Sequence, residues 1–245
     1  NGIENLISID SDWCKSDFGY SLYIRPFVFA SSECIKASSS KEFTFIIITS
    51  PTTTYYPGSI NLVIEEHYTR AARGGVGFAK AAGNYAATFY PTKQANSRGF
   101  EQVIWTDSVN HKYIEECGTM NIWFRIDNTL ITPELSDSIL NGVTRNSIIT
   151  LAKSAGINVV ERKILVSELI RAHKDGKLME VFGSGTAVAI SPIDSITFKK
   201  DKMILPKLKN SFAITLKKEL QAIQKGDVDD IYGWTTKISS TVDQL

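Results

Sequence analysis

Apolar residues along this chain recur in two different periods, and each change of period marks out an element. Runs rich in Ile, Val, Phe and Tyr at Tyr20–Ala30 and Glu42–Thr49 have the composition and length of strands. The polar stretch Ala37–Lys41 between them reads as a hairpin-type connection. Further strands are predicted at Ile60–Glu65, Gln102–Thr106, Asn121–Ile126, Thr129–Ile131, Ile157–Glu161, Glu180–Phe182, Ala187–Ile190 and Ile196–Lys199. Helical spacing takes over elsewhere. In Arg145–Ala155 the residues Ile148, Leu151, Ala152 and Ala155 fall on one face, and in Ser211–Gln224 the stripe is Phe212, Leu216, Leu220 and Ile223. Val166–His173 reads as a helix too, and another is expected within Asn84–Gly99.

Strands and helices that mix without strict alternation argue for an α+β fold rather than a doubly wound sheet. The best linker is Ser50-Pro51-Thr52-Thr53-Thr54-Tyr55-Tyr56-Pro57-Gly58, with two prolines and a closing glycine. It divides the chain into residues 1–50, a linker over 51–59, and a larger domain over 60–245.

Composition changes this picture little. Of 245 residues, 43% are hydrophobic and 22% charged, which is ordinary for a chain with a substantial core. Lys and Arg number 27 against 26 Asp and Glu, so no electrostatic footprint for nucleic acid or an anionic membrane is present. The apolar run Phe45–Ile48 is far too short to span a bilayer. Cys14, Cys34 and Cys117 lack metal-ligand or Cys-x-x-Cys spacing, which suggests a reducing compartment. His67, His111 and His173 are each isolated, so a histidine metal site is not expected. The chain starts at Asn1 rather than Met, which suggests processing or truncation upstream, so targeting stays open.

Three segments carry candidate chemistry. In Arg73-Gly74-Gly75-Val76-Gly77-Phe78-Ala79-Lys80-Ala81-Ala82-Gly83-Asn84-Tyr85, one lysine stands among small and apolar residues. Burial there would free its amine as a nucleophile or base; a lysine snorkelling to water from a glycine-rich loop is the plainer reading. Tyr113-Ile114-Glu115-Glu116-Cys117-Gly118-Thr119-Met120-Asn121 sets two carboxylates before a turn and an apolar strand. Either acid is suited to a cationic ring nitrogen, and both are also ordinary turn residues. Third, Asn141-Gly142-Val143-Thr144 opens a helix, and Gly183-Ser184-Gly185-Thr186-Ala187 lies between strands. Free amides at a helix start and in a glycine turn make phosphate sites. Together the segments suit one ligand with an amine-reactive aldehyde, a pyridinium nitrogen and a phosphate, which describes pyridoxal phosphate.

At these residues the chain resembles the branched-chain amino acid aminotransferases of the fold-type IV pyridoxal-phosphate class. Ser21-Leu22-Tyr23-Ile24-Arg25-Pro26, the Lys80 segment, Glu116–Asn121, Gly142-Val143-Thr144-Arg145 and Phe182–Ala187 follow in the family's order. The resemblance covers nearly the whole chain, from about Trp13 to Trp234. It implies a large cofactor domain of mixed sheets in a barrel-like arrangement, with residues 1–50 as the C-terminal part of a smaller α/β domain. It also implies a further segment upstream, holding most of that small domain and an arginine that grips the phosphate.

The same resemblance implies roles for single residues. Lys80 matches the cofactor-carrying lysine, Tyr85 the tyrosine bonded to the ring oxygen, and Glu116 the acid facing the ring nitrogen. Val143 and Thr144 match the phosphate-binding pair, joined by Thr186, and Arg70 matches a basic residue close to the cofactor. Thr186 and Ala187 also match the turn receiving the substrate's α-carboxylate. Tyr23 and Arg25 match the pair reaching over the substrate, and Tyr55 lies in the linker that acts as a gate. The implied activity is transamination of leucine, isoleucine and valine with 2-oxoglutarate, in a homodimer of the cytoplasm or mitochondrial matrix. Its partners are small amino acids and 2-oxo acids. Val188 and Ser191 stand where some members carry a Cys-x-x-Cys pair, so that redox switch is not expected. A D-amino acid transaminase or an aminodeoxychorismate lyase shares the fold, but the Tyr23–Arg25 and Gly118-Thr119-Met120-Asn121 matches speak against both.

Overall fold

The computed structural model describes residues 2–13, 20–52 and 60–238. By their contacts these form two compact units, residues 2–52 with 231–238, and residues 60–230. The division expected from the linker runs the larger domain to the last residue, whereas residues 231–238 group with the first unit.

The first unit holds α1 (Gly2–Ile9), a 3-10 turn at Ser11–Trp13, and the strands β1 (Ser21–Ala30) and β2 (Phe43–Thr52). The strands pair antiparallel from Ser21↔Thr52 to Ala30↔Phe43, as the hairpin-type connection between them predicts. Residues two apart share a face of a strand, and Arg25 Nη2 donates to the Tyr23 hydroxyl at 3.1 Å. No helix is predicted over residues 2–9, and eight residues are too few to hold one alone. Packing on β2 supplies what the local sequence lacks, and Thr49 Oγ1 ties β2 to Asp10 Oδ2 just after the helix at 2.5 Å.

The second unit contains β3 (Asn61–Ile64), α2 (Ala82–Ser97), β4 (Gln102–Thr106), β5 (Ile114–Cys117), β6 (Asn121–Ile126) and β7 (Thr129–Thr132). It continues with α3 (Val143–Ser154), β8 (Asn158–Glu161), α4 (Val166–Lys174), β9 (Leu178–Gly185), β10 (Ala189–Pro192), β11 (Ser195–Phe198), β12 (Asp201–Ile204) and α5 (Phe212–Lys225). Two five-stranded sheets result, ordered β12-β11-β3-β4-β5 and β10-β9-β6-β7-β8. Both are mixed: β11, β3 and β4 run parallel, as do β7 and β8, and the other pairs are antiparallel. The mixed sheets expected of a barrel-like arrangement are present, but among the described residues they do not join into a closed barrel.

The two sheets share one apolar core. Leu62, Ile64 and Ile104 from one sheet meet Ile122, Phe124 and Val181 from the other, with Leu169 of α4 among them. Each such side chain, removed from water, contributes roughly 1.5–3 kcal/mol. The alternate residues of the same strands point away. Val63, Val103 and Trp105 pack with Ala95 of α2, and Trp123 stacks on Phe182 at 5.8 Å. Strands buried on both faces read as unbroken apolar runs, which is why most are visible in the sequence. The helix α5 begins at Ser211, whose hydroxyl accepts from Ile214 N–H, and ends at Gly226 in the left-handed region. Glu180 of β9 also accepts the N–H groups of Phe212 and Ala213 and pairs with Arg125 at 2.7 Å. No helix of the described residues is long and apolar enough to cross a membrane.

Two strands lie outside the predicted set. β5 and β12 each carry two charged residues among four, which breaks the apolar signal. The glycine turn after Phe182 is also shorter than expected. Gly183, Ser184 and Gly185 belong to β9 and pair with β10, leaving Thr186–Val188 as the turn. A Cβ on Gly183 would lie 2.6 Å from Met120 Cε, so a larger residue in this strand would displace the end of the Met120 side chain.

Candidate active site

Glu116 on β5 is 3% exposed, and its partner is Arg70, from the loop after β3. Arg70 Nε lies 2.7 Å from Glu116 Oε2. Arg70 Nη2 donates to two backbone carbonyls, Gly77 at 3.1 Å and Ser138 at 2.6 Å. One guanidinium therefore ties the acid to the loop that carries Lys80 and to the segment leading into α3. A planar fork of donors is suited to such a junction. The other oxygen of Glu116 accepts the Leu140 N–H at 2.8 Å and the Asn121 carboxamide at 3.3 Å.

These contacts set the two acids apart. As β5 is a strand, Ile114 and Glu116 share a face and Glu115 takes the other. Glu116 is buried against the arginine, whereas Glu115 is half-buried and accepts from Ser138 Oγ at 2.5 Å. Burial pushes the Glu116 carboxyl up to about 7, against the lowering effects of Arg70 and the Leu140 amide. At neutral pH this group is therefore able to take or give up a proton. Burial also pushes up the Cys117 thiol, which keeps that residue inert.

The Lys80 loop is held from three sides. Asn84, in the first turn of α2, donates to the carbonyls of Val76 at 2.8 Å and Ala79 at 2.9 Å. Asp137 accepts the Phe78 N–H on its backbone and the Gly74 N–H on its side chain. Gly77 meets Ser138 so closely that a Cβ would lie 2.6 Å from its Cα. Lys80 itself is exposed. The loop itself thus leaves the amine open to water. Tyr85 is half-buried next to Asn84.

Val143 and Thr144 are the first two residues of α3, with Gly142 as an N-cap that offers no side-chain bond. The first intrahelical donor is the Asn146 N–H to Gly142 O, so the amides of Val143, Thr144 and Arg145 have no partner within the helix. Thr186 and Ala187 are exposed on the β9–β10 turn. Ser184, two residues earlier, is buried, and its hydroxyl accepts from Trp123 Nε1 at 2.9 Å. Tyr23 and Arg25 stand together in the other compact unit, and Tyr55 lies outside the described residues. The sequence pattern assigns no role to Asn84, Asn121, Asp137 or Ser138. Asn84 and Asn121 do lie within the quoted motifs; Asp137 and Ser138 carry no local signal, since their partners are far away in sequence.

The chain matches the amino-transferase class IV family over residues 2–196. Branched-chain-amino-acid aminotransferase 2 of Bacillus subtilis is 42% identical over 243 residues, which is 98% of this chain and 67% of that protein. The chain thus spans about two thirds of the length of that curated relative. The structure of the branched-chain amino acid aminotransferase of Escherichia coli aligns with a TM-score of 0.77 at 26% identity, over 98% of this chain and 77% of that one. The PLP-form of the branched-chain amino acid aminotransferase of Thermobaculum terrenum shares the fold, with a TM-score of 0.71 at 20% identity over 89% of this chain and 69% of that one.

Proposed function

Because the chain belongs to the class IV amino-transferases, and within them to the branched-chain-amino-acid aminotransferases, we propose that it moves the amino group of L-leucine, L-isoleucine and L-valine to 2-oxoglutarate. The products are branched 2-oxo acids and L-glutamate. The cofactor is pyridoxal 5'-phosphate, and the working form is a homodimer. The observation that carries this reading is the buried Arg70–Glu116 pair, bonded at once to the Lys80 loop and to the segment that opens α3.

Two features fit the cofactor. A buried carboxyl poised near neutrality suits a ring nitrogen that must carry a proton, and three amides without partners inside their helix suit a phosphate. When bound, pyridoxal phosphate supplies an aldehyde for the amine and a ring that stores the electron pair released at the substrate's α-carbon. The chain does the rest. Lys80 Nζ holds the cofactor, then accepts the α-proton and gives it up again as an acid. Glu116 holds a proton against the ring nitrogen, with Arg70 keeping the carboxyl in place. The amides of Val143 and Thr144 and the hydroxyl of Thr186 bind phosphate, while Tyr85 bonds the ring oxygen. Thr186 and Ala187 receive the α-carboxylate. Tyr23 and Arg25 meet the distal carboxylate of glutamate, for which a guanidinium is suited, and Tyr55 gates the site.

The test is spectroscopic. Adding pyridoxal phosphate to the purified chain should produce the visible band of a bound cofactor. L-leucine should remove that band and 2-oxoglutarate should restore it. A band that L-leucine leaves unchanged, but that D-alanine removes, contradicts the substrate assignment.

A further inference from the structure

Asn121 joins three parts of the site that lie far apart in sequence. Its side chain is buried, and Nδ2 donates to the Leu140 carbonyl at 2.8 Å and to Glu116 Oε1 at 3.3 Å. The Leu140 N–H donates to that same Glu116 oxygen. Two residues further on, Gly142 lies so close that a Cβ there would stand 2.3 Å from Asn121 Oδ1. Gly142 is the N-cap of α3, immediately before Val143 and Thr144. The backbone of Asn121 also pairs with Ser184, two residues before Thr186. One carboxamide therefore touches the acid and the segment entering the helix, from the strand next to the Thr186 turn.

We propose that Asn121 is a positioning residue that fixes the separation between the Glu116 carboxyl and the amides of Val143 and Thr144, so that one cofactor reaches both. The inference rests on the pyridoxal-phosphate reading above. The residue must be a carboxamide for a physical reason. Its nitrogen faces two acceptors, Leu140 O and Glu116 Oε1, while its oxygen faces the Cα of Gly142. An aspartate has the same shape, but when ionised it sets an acceptor against two acceptors and a charge against Glu116. When protonated it offers one donor again. The other groups facing Glu116 are Arg70 from the loop after β3, Glu115 on the same strand and the Cys117 thiol. All of them are unchanged in the variant.

The test compares the full chain with Asn121→Asp and Gly142→Ala, following pyridoxal phosphate binding by tryptophan fluorescence, with borohydride labelling of Lys80 alongside. Loss of a buried donor should weaken binding in Asn121→Asp roughly tenfold at about pH 8. The deficit should shrink towards wild type at about pH 6, as the facing pair of carboxyls, Glu116 and the new aspartate, takes up a proton that removes the repulsion. Gly142→Ala pushes on the same carboxamide from the other side, so it should weaken binding at both pH values. Wild-type affinity in either variant overturns the proposal. So does a deficit in Asn121→Asp that ignores pH, because a packing role alone would produce that. If wild-type protein binds the cofactor but takes no label at Lys80, the functional reading falls, and this inference falls with it.

Discussion

The residues assigned to the proposed site fall into two sets, and they differ in how they are kept. Lys80, Val143, Thr186 and Ala187 are exposed, on a loop, a helix start and a turn. Arg70, Asn84, Glu116 and Asn121 are buried, and nearly every bond they make goes to the backbone beneath the first set or to one another. In the proposed function the exposed set offers groups to a ligand, and the buried set fixes where those groups stand. Burying polar groups costs stability unless each finds a partner, and here the partners are the carbonyls and amides that shape the site. Substitutions in the two sets should therefore fail in different ways.

The largest effect belongs to the exposed set. Lys80→Ala should lower steady-state transamination by roughly a thousandfold or more, since it removes both nucleophile and general base. Its urea unfolding midpoint should stay at the wild-type value, because Lys80 is exposed. Substantial remaining turnover contradicts its role. Arg70→Ala should behave in the opposite manner. It removes the cation that lowers the Glu116 carboxyl, which then takes up a proton, and two buried carbonyls lose their donor at a cost of about 1–3 kcal/mol. Urea denaturation should show the loss, and an unchanged midpoint would break the contrast between the two sets.

The smallest effect is a pH dependence. Burial raises Glu116 from its ordinary 4.5 to about 7, so the folded chain holds this proton more tightly than the unfolded chain. The stability that follows is present in full below about pH 4.5 and is lost as pH rises through about 7. Glu116→Gln removes the titration. Its unfolding free energy should therefore vary less than that of wild type across this interval, measured by urea curves at stepped pH. Equal slopes would mean that Glu116 does not titrate there.

The strands of the shared core are legible in the sequence because both of their faces are buried, which makes the apolar signal continuous. β5 is not, since Glu115 and Glu116 interrupt it. Read as a strand, that segment would have chosen Glu116 by alternation with Ile114. The helices α3 and α5 show their buried stripes plainly, although Ala155 proves to be an exposed cap rather than a core residue. The motifs locate Lys80 and the start of α3, but nothing local joins Arg70 to Glu116, 46 positions later. Nor does spacing reveal that Ser138 and Leu140 lie beneath both. Such contacts arise only when two sheets share a core, and periodicity carries no information about them.

The central claim is that the exposed lysine of the Arg73–Lys80 loop carries the cofactor above a buried acid. Reduction of the pyridoxal-phosphate-loaded chain with borohydride, followed by peptide mapping, tests it most directly. The account predicts a single pyridoxyl label on Lys80. A label on Lys93, Lys112 or any other lysine, or none at all, would contradict it.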